Sequence, residues 1–398
     1  MARFPTLDDI DPAGKRVLLR ADLNVPMQDG KISDATRIDR LAPTIRELVR
    51  RDGKVVVMSH FGRPDGKPDA ACSLRPLAAP LADAIGRPVA FAEDCIGPAA
   101  ERVVARLLPG EVALLENLRF HKEEEADDPR FARQLAALGD LYVNDAFSAA
   151  HRAHASTEAL ARLLPAAAGR LMQRELEALA SAFETPRRPL AALIGGAKVS
   201  TKLKLLAVMI DKVDTLIIGG AMANTFLLAQ GIAIGRSRCE CTMAETARDI
   251  VERARRANCR LMLPADAVVA RELRPGIASE TVAIDRVPAD RMILDIGPKT
   301  VAAIGEQLEL SRTLVWNGPV GAYETPPFAA GTDAIARRVA ALTAQGRLLS
   351  VAGGGETAAA LAQAGVMGAF SYVSTAGGAF LEWLEGRELP GVAALMSR

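Results

Sequence analysis

The chain has 398 residues, of which 49% are hydrophobic, and its formal net charge is +1 at pH 7. At roughly 100–200 residues per domain, this length predicts two or three domains with full cores. The near-neutral charge excludes a global attraction to nucleic acid or to an anionic membrane, so any electrostatic recognition must come from local clusters.

The first 150 residues alternate short apolar runs with longer amphipathic stretches. The predicted strands cover 16–25, 54–60, 88–94, 111–118 and 141–147, and the predicted helices cover 38–51, 75–86, 98–110 and 130–139. Several of the runs are almost entirely apolar, as in parallel strands that are buried on both faces. This alternation predicts βαβ units and a parallel sheet.

A long helix is predicted over 170–184, and it ends at the prolines and arginines of 185-TPRRP-189. The alternation then resumes, with strands predicted at 190–196, 214–220, 260–266, 313–318 and 347–355. We therefore expect an α/β fold with two domains joined by one long helix. No run of about 18 apolar residues is present, and the N-terminus lacks the apolar core of a signal peptide.

Basic residues follow the strands of the N-terminal half. Ligands of parallel sheets bind at the carboxyl ends of the strands. Five arginines fall near such ends: Arg20, Arg37, Arg63, Arg119 and Arg152. The planar guanidinium matches phosphate and carboxylate oxygens, so the set predicts an anion site, although any one of them could be an ordinary surface residue. Alternation along the first strand predicts Arg20, Asp22 and Asn24 on one face.

The strands of the C-terminal half end in glycine. The turns are 194-IGGAKVSTK-202, 217-IIGGAMA-223, 316-WNGPVGAYE-324, 352-AGGGETAAAL-361 and 374-STAGGAFLEWLEG-386. Glycine lets backbone amides approach a phosphate, and the spacing predicts Lys198 and Lys202 on one face of a helix. One such turn can reflect tight packing alone, and neither a Walker A loop nor a first-strand GxGxxG is present. Together the turns predict a polyphosphate ligand.

An arginine-lined site in one domain and a glycine-lined site in the other suggest transfer of a phosphoryl group. Such a transfer needs positioning, charge neutralisation and exclusion of water more than covalent help from the protein. The five cysteines form no Cys-x-x-Cys pair, and Cys239 and Cys241 are too close for a common zinc knuckle. We expect five reduced thiols and a cytoplasmic protein.

The chain resembles the phosphoglycerate kinase family over almost its whole length. The matching stretches are RADLNVP (20–26), SDATRI (33–38), SHFGRP (59–64), LLENLRF (114–120), VNDAFSAAHRAHAST (143–157), IGGAKVSTK (194–202), DTLIIGGAMANTF (214–226), VWNGPVGAYE (315–324), GGGETAAA (353–360) and VSTAGGAFLEWLEGRELPGV (373–392). Each stretch is modestly specific, whereas all of them in this order are highly specific.

The resemblance implies reversible phosphoryl transfer from 1,3-bisphosphoglycerate to ADP, which gives 3-phosphoglycerate and ATP with Mg²⁺, in a glycolytic, cytoplasmic monomer. It implies two Rossmann-like domains around a cleft that closes by hinge motion. We expect a 3-phosphoglycerate-binding domain at 1–168, a connecting helix and hinge at 169–188, and a nucleotide-binding domain at 189–380. The last segment, 381–398, is expected to pack back on the N-terminal domain. Nucleic acid and membranes are not expected partners.

The resemblance also assigns residues to the site. For 3-phosphoglycerate they are Asp22, Leu23, Asn24, Arg37, His60, Phe61, Gly62, Arg63, Arg119 and Arg152. For the nucleotide they are Gly195, Lys198, Lys202, Gly219, Asn317, Glu324, Gly353, Gly354, Gly355, Glu356 and Thr357. The transferring group would be stabilised by Arg37, Lys202 and the amides of Gly354 and Gly377. Glu324 would bind the ribose, and Glu356 would lie by a Mg²⁺ held mostly by the nucleotide phosphates.

The chain departs from the family pattern at a few positions. Glu356 replaces the usual Asp, and Ala376 replaces the first glycine of a usual triple-glycine turn. Alanine at position 376 would cost about 1 kcal/mol if its φ were positive. Ser148 and Ala149 stand where Gly-Thr is common. None of these changes removes a charge that the chemistry needs.

Two histidines, His151 and His154, flank Arg152 in 143-VNDAFSAAHRAHAST-157. A metal site there is disfavoured because the family uses no histidine cluster, so we expect both to shape the loop, with His154 able to add positive charge. Asp145 is expected to orient neighbouring basic groups. The alternative functions are a nicotinamide dehydrogenase, which lacks its first-strand fingerprint here, and an inactive scaffold, although every charged catalytic position is intact.

Overall fold

The computed structural model describes residues 4–28 and 31–396, which form two compact units. Unit 1 contains the described residues up to Leu176 together with those from Glu388 onward, and unit 2 spans Glu177–Arg387. The expected α/β class, with two parallel sheets flanked by helices, is confirmed. No helix in the described part of the chain is both long enough and apolar enough to cross a membrane.

Unit 1 contains eight of the described strands. They are β1 (Arg16–Arg20), β2 (Met27–Gln28), β3 (Lys31–Ile32), β4 (Lys54–Met58), β5 (Val89–Ala92), β6 (Val112–Leu115), β7 (Leu141–Asn144) and β8 (Ala166–Ala168). Its helices are α1 (Thr36–Arg50), α2 (Ala78–Ile85), α3 (Gly97–Ala105), α4 (Lys122–Glu125), α5 (Pro129–Ala136), the first part of α6 (Arg170–Phe183) and α14 (Pro390–Met396).

The main sheet of unit 1 is parallel, with strand order β5-β6-β4-β1-β7-β8. The central β1 pairs with β4 and β7 along its length and is buried except at its first residue. Strands covered on both faces need apolar side chains at consecutive positions, which 17-VLL-19 and 55-VVV-57 supply. Because these strands are all parallel, their carboxyl ends lie at one edge of the sheet. The predicted arginines follow the strands at that edge.

Unit 2 contains the remaining described strands. They are β9 (Leu190–Ile194), β10 (Thr215–Ile218), β11 (Arg260–Met262), β12 (Asp266–Ala270), β13 (Glu280–Ala283), β14 (Met292–Ile296), β15 (Thr313–Asn317), β16 (Leu349–Gly353) and β17 (Tyr372–Ser374). Its helices are the rest of α6, α7 (Leu203–Lys212), α8 (Gly220–Ala229), α9 (Ala244–Arg256), α10 (Pro298–Leu310), α11 (Ala330–Ala344), α12 (Gly355–Gln363) and α13 (Gly377–Leu384).

The main sheet of unit 2 is also parallel, in the order β11-β10-β9-β15-β16-β17. A second sheet, β13-β12-β14, is antiparallel and has its own small apolar cluster. The sequence pattern did not predict this sheet, whose strands β13 and β14 are only partly buried. It packs beside α10 and α11.

Two local expectations are wrong. The first strand ends at Arg20, where its pairing with Met58 and Asn144 stops, so Asp22 and Asn24 lie in the following loop and not on a strand face. Cys239 and Cys241 form a disulfide, whereas five reduced thiols were expected.

Asp145 fixes the start of α6, the long helix predicted between the domains. Its Oδ1 accepts hydrogen bonds from the backbone N–H groups of Leu171 at 2.8 Å and Met172 at 3.0 Å. These donors belong to the first turn of the helix and would otherwise lack an intrahelical partner. Gly169 makes room for the carboxylate, since a Cβ there would lie 2.3 Å from Asp145 Cγ. Asp145 therefore orients the start of a helix.

We predict that Asp145→Ala lowers the free energy of unfolding by about 1–2 kcal/mol, the usual cost of losing a capping side chain. Asp145→Asn should lose less, because one amide oxygen can still accept both hydrogen bonds. Urea denaturation of the two variants and the parent protein measures the difference. Equal stability of the alanine variant and the parent would contradict the capping role.

Candidate active site

The residues predicted for the substrate lie at one edge of the unit 1 sheet. Asp22, Leu23 and Asn24 follow β1, the segment from His60 to Arg63 follows β4, Arg119 lies in a 3-10 turn after β6, Arg152 lies beyond β7, and Arg37 is in the first turn of α1. Because all these strands are parallel, their carboxyl ends share that edge. Unit 1 thus brings the predicted substrate residues to one side of its sheet.

Asp22 is the hydrogen-bond centre of this edge. Its Oδ2 accepts from the guanidinium of Arg37 and from the hydroxyl of Ser148, and its Oδ1 accepts from the N–H of Asn24 at 3.0 Å. Burial opposes ionisation of Asp22, but its interactions with His60 and the Arg37 guanidinium, together with the hydrogen bonds from Ser148 and Asn24, outweigh burial, so the pKa of the carboxyl is lowered. An ionised Asp22 holds Arg37 in place, and Ser148 adds a contact that Gly at this position could not make.

A glycine turn links Asn24 to Arg119. The Gly62 N–H donates to Asn24 Oδ1 at 3.0 Å, and the Gly62 carbonyl accepts from Arg119 Nη1 at 2.9 Å. Gly62 has a φ of +62°, and a Cβ there would lie 2.7 Å from Cys72 Sγ, so only glycine fits. Arg119 is 5% exposed and pairs with Glu125 at 3.1 Å. The turn fixes the backbone beside a buried guanidinium.

Not every predicted substrate residue presents a polar side chain. Leu23 is fully buried in the apolar core, and its backbone N–H donates to Ser59 Oγ at 2.8 Å. Phe61 is partly buried, and its carbonyl accepts from Asn117 Nδ2 at 2.7 Å. Arg63, by contrast, is exposed. Leu23 and Phe61 therefore shape the loops, and the charged contacts come from their neighbours.

Arg20 belongs with this group, although the resemblance did not assign it to the substrate. It is 1% exposed, its Nε donates to Ser156 Oγ at 2.8 Å, and its Nη2 lies 3.2 Å from His60 Nδ1. Because arginine only donates, His60 Nδ1 must be the acceptor and its Nε2 must carry the proton. Burial, followed by the charge of Arg20, keeps the pKa of His60 well below its ordinary value.

Beside Arg152, His151 accepts a hydrogen bond and His154 is buried. Arg152 Nε lies 3.3 Å from His151 Nε2, and burial lowers the pKa of His154 to about 4. His154 is therefore neutral at pH 7, and the suggestion that it adds positive charge is wrong. The one group of metal-ligating side chains found among residues 4–28 and 31–396 is Asp94, Cys95 and His121, where Asp94 Oδ1 already lies 2.7 Å from His121 Nε2.

In unit 2 the strand ends interlock through glycine. Gly195 follows β9, and a Cβ there would lie 1.9 Å from the carbonyl oxygen of Pro319. Gly219 follows β10, and a Cβ there would lie 2.5 Å from Val320 Cγ1. The Gly195 N–H donates to the Asn317 carbonyl at 2.8 Å. The three strand ends after β9, β10 and β15 therefore pack backbone against backbone.

Lys202 and Asn317 join two of these strand ends. The Lys202 ammonium donates to the Gly195 carbonyl at 2.6 Å and to Asn317 Oδ1, and Asn317 Nδ2 donates to the Gly353 carbonyl at 2.7 Å. Burial lowers the pKa of Lys202 to about 8, and the charge of Glu356 opposes that shift. Lys202 thus remains mostly protonated at pH 7.

Lys198 and Lys202 do not share the face of a helix, as the spacing had predicted. Residues 200–202 form a 3-10 turn, and α7 begins only at Leu203. Lys198 is exposed, whereas Lys202 is directed into the strand ends described above.

Two helix N-termini meet at this edge. Gly354, with a φ of +102°, precedes α12, and Gly377 begins α13. A Cβ at Gly377 would lie 3.6 Å from the Gly355 N atom and 3.8 Å from Gly354 Cα, so the two turns are neighbours. Thr357 Oγ1 accepts from the Gly318 N–H at 2.7 Å and fixes the first turn of α12. Unpaired N–H groups at helix N-termini favour anions.

The remaining predicted nucleotide residues border this edge. Glu356 is exposed in the first turn of α12, and Glu324 is exposed in the loop after β15, where Tyr323 Oη lies 3.4 Å from its Oε1. Ala376 has a φ of −91°, so alanine replaces glycine there without the expected strain. The edge therefore combines one partly buried lysine, two helix N-termini and two exposed carboxylates.

Comparisons with known proteins agree on one family. The family model described as phosphoglycerate kinase matches residues 7–387. The chain is 61% identical to the phosphoglycerate kinase of Rhodospirillum centenum, with 98% of this chain and 99% of that protein covered. It is 60% identical to the phosphoglycerate kinase of Methylorubrum extorquens, with 100% of both chains covered.

Solved structures give the same result. The phosphoglycerate kinase of Coxiella burnetii superposes with a TM-score of 0.92 at 42% identity, with 99% of each chain covered. The phosphoglycerate kinase of Pyrococcus horikoshii superposes with a TM-score of 0.79 at 32% identity, with 98% of each chain covered.

We predict that His60 and His154 stay neutral between pH 8 and pH 6 in the ligand-free protein. Burial lowers both pKa values, that of His154 to about 4, so folding becomes less favourable as pH falls below about 6.5, where histidines of the unfolded chain take up protons. Imidazole NMR signals, assigned with His60→Asn and His154→Asn, measure the titration. A midpoint near 6.5 for either residue would contradict the assigned environment.

Proposed function

The chain belongs to the phosphoglycerate kinase family, and from that premise we propose that it transfers a phosphoryl group reversibly from 1,3-bisphosphoglycerate to ADP, giving 3-phosphoglycerate and ATP. The observation that carries the proposal is that Lys202 lies at the same sheet edge as the adjoining N-termini of α12 and α13 and is linked through Asn317 to the residue before α12. A lysine and two helix N-termini suit a polyphosphate. The arginine-rich edge of unit 1 suits the smaller anion, 3-phosphoglycerate.

We propose that unit 1 binds 3-phosphoglycerate through Arg37, Arg63, Arg119, Arg152 and neutral His60. Guanidinium groups can donate to the phosphate and carboxylate oxygens in bidentate geometry. With its proton on Nε2, His60 can donate one hydrogen bond to the substrate, and Arg20 holds that tautomer.

We propose that unit 2 binds the nucleotide along the strand ends of its parallel sheet. The adenine would lie against the turns at Gly195 and Gly219, and the ribose hydroxyls would donate to Glu324. The phosphates would approach the N–H groups at Gly354 and Gly355 and the cation of Lys202. Lys198, which is exposed, would add a second cation.

The proposed chemistry requires no general base. The attacking carboxylate of 3-phosphoglycerate is ionised at neutral pH, since the reference pKa of such a group is about 4. The protein therefore has to align the reacting oxygens and stabilise the charge on the transferring group, with Arg37 and Lys202 as the cations and the amides of Gly354 and Gly377 as donors. Transfer also requires the two bound substrates to meet, which we attribute to the predicted hinge at 169–188.

Glu356 fits a Mg²⁺ bound to the nucleotide. Mg²⁺ prefers oxygen ligands and is commonly held by one or two carboxylates together with substrate phosphates. Glu356 is exposed at the N-terminus of α12, where the nucleotide phosphates are proposed to bind. The bound cation would neutralise phosphate charge and orient the terminal phosphate, while Glu356 would anchor it to the protein.

We propose further that the protein acts as a cytoplasmic monomer with small-molecule partners only. The near-neutral net charge and the family membership support this proposal. The domain assignment of 1–168 to 3-phosphoglycerate and of 189–380 to the nucleotide belongs to the same proposal, as does packing of 381–398 on the N-terminal domain. Within unit 1, the Gly391 N–H donates to the Ala150 carbonyl at 2.9 Å, which supports the last point for α14.

A coupled assay for ATP made from ADP and 1,3-bisphosphoglycerate tests the proposed reaction. We expect turnover that requires Mg²⁺ and both substrates. Purified, folded protein that makes no ATP under these conditions would refute the proposed reaction.

We predict that Arg37→Ala and Lys202→Ala each lower kcat by about 10³-fold or more while the protein stays folded, because each removes a cation from the transferring group. Arg50→Ala and Lys204→Ala are matched controls, since both side chains are exposed. Arg50 lies on α1, the helix that carries Arg37, and Lys204 lies on α7, which begins directly after Lys202. Steady-state kinetics measures kcat, and circular dichroism shows whether each variant is folded. Near-parental kcat in either active-site variant would remove that residue from the mechanism.

We predict that Glu356→Gln raises the Mg²⁺ concentration needed for half-maximal activity several-fold, because an amide is a weaker ligand than a carboxylate. Glu356→Asp should remain close to the parent protein, since it keeps the charge. The measurement is a Mg²⁺ titration at saturating nucleotide. An unchanged Mg²⁺ requirement in the glutamine variant would exclude Glu356 from metal binding.

A further inference from the structure

The carboxylate of Asp295 lies buried at the end of β14, the last strand of the antiparallel sheet in unit 2. It is 1% exposed. Its Oδ1 accepts from the Ile296 N–H at 2.9 Å, and its Oδ2 accepts from the Gly331 N–H at 2.8 Å. The second donor belongs to the first turn of α11, so Asp295 ties that helix start to the sheet. Burying a carboxylate is costly, and such a group normally has a specific structural or functional reason.

Two glycines at the ends of the segment 321–331 contact this same carboxylate. A Cβ at Gly321 would lie 2.1 Å from Asp295 Oδ1, and a Cβ at Gly331 would lie 2.6 Å from that atom. The next residue, Ala322, donates its N–H to the Leu294 carbonyl at 2.8 Å. Both ends of the segment are therefore fixed against Asp295 and its neighbour on β14.

The segment 321–331 carries Glu324, the residue proposed to bind the ribose. Glu324 is exposed, and the hydroxyl of Tyr323 lies 3.4 Å from its Oε1. The Tyr323 carbonyl accepts from Gln363 Nε2 at 3.0 Å, which adds a contact with the end of α12. Glu324 thus lies on a loop whose two ends both contact Asp295.

We propose that Asp295 is a positioning residue for ribose recognition, because it holds both ends of the 321–331 segment so that Glu324 faces the ribose hydroxyls of the nucleotide. This inference rests on the proposed ribose role of Glu324. Asp295 itself does not contact the substrate in this account. Alanine would remove both hydrogen bonds, and asparagine could accept only one of them, because its amide nitrogen would face the second N–H donor.

Asp266 provides a matched control within the same sheet. It is 2% exposed at the start of β12 and accepts from the N–H groups of Lys299 at 3.0 Å and Thr300 at 2.8 Å, at the N-terminus of α10. A glycine also packs against it, since a Cβ at Gly297 would lie 2.3 Å from its Cγ. Asp266 thus has the same burial and the same capping role, but its hydrogen bonds go to α10 and not to the 321–331 segment.

The test compares the affinity of the full-length protein for ADP with its affinity for 2′,3′-dideoxy-ADP, measured by calorimetry. We expect Asp295→Ala to weaken ADP binding about tenfold, the loss of roughly one hydrogen bond to a charged group, and to leave dideoxy-ADP binding unchanged. Glu324→Gln should do the same, and the double variant should be no weaker than either single variant. Asp295→Asn should show a smaller loss of affinity for ADP. This variant replaces Asp295→Ala in the test if the alanine variant does not fold.

Asp266→Ala should be destabilised in urea to a similar extent but keep the parental preference for ADP over dideoxy-ADP. If Glu324→Gln reduces that preference and the folded Asp295 variants do not, Asp295 has no positioning role. Additive losses in the double variant would overturn the inference in the same way. If Glu324→Gln itself keeps the full preference, the proposed ribose contact is the part that fails, and the inference fails with it.

Discussion

Confining several cations at one sheet edge costs free energy because the charges repel one another. The neighbouring groups at the edge of unit 1 reduce that repulsion. Burial lowers the pKa of Arg119, and the charges of Arg20 and Arg152 lower it further, against the opposing charge of Glu125. Acidic groups offset part of the repulsion: Asp22 accepts from Arg37, and buried Glu124 accepts from Ser156, which in turn accepts from Arg20. His60 and His154 avoid adding charge, since burial lowers the pKa of each. An incoming anion would relieve the repulsion that remains.

Unit 2 generates positive potential by a different means. Among its described residues, Lys202 is the cation directed into the strand ends, and backbone N–H groups at the start of α12 and α13 supply the rest. This arrangement brings main chain close to main chain at Gly195, where a Cβ would lie 1.9 Å from the Pro319 carbonyl oxygen. The side chains of Val320 and Asn317 leave no room for a Cβ at Gly219 and Gly354. A site made of backbone dipoles has little freedom to rearrange, and such preorganisation is what stabilisation of a transferring phosphoryl group requires.

The two parallel sheets and their proposed ligand-binding edges could be predicted largely from the sequence, because the apolar runs and the residues that follow them indicate the same fold. Apolar runs predicted the parallel strands, and the residues after each run predicted the two edges where ligands are proposed to bind. Predictions failed where tertiary contacts decide the outcome. Alternation could not show that β1 ends at Arg20, since its end depends on pairing with β4 and β7. Spacing could not show that a 3-10 turn separates Lys198 from α7. The helix caps at Asp145 and Asp295 gave no signal because the capped residues lie 26 or more positions away.

The central claim is that unrelieved positive charge at the edge of unit 1 is the binding determinant for 3-phosphoglycerate. Calorimetric titration of the nucleotide-free protein with 3-phosphoglycerate, repeated at rising salt and with glycerate in its place, tests it most directly. The account predicts binding that weakens steeply with ionic strength, because charges at this edge are partly exposed, and much weaker binding of glycerate, which lacks the phosphate. Salt-independent binding, or equal affinity for the two compounds, would contradict it.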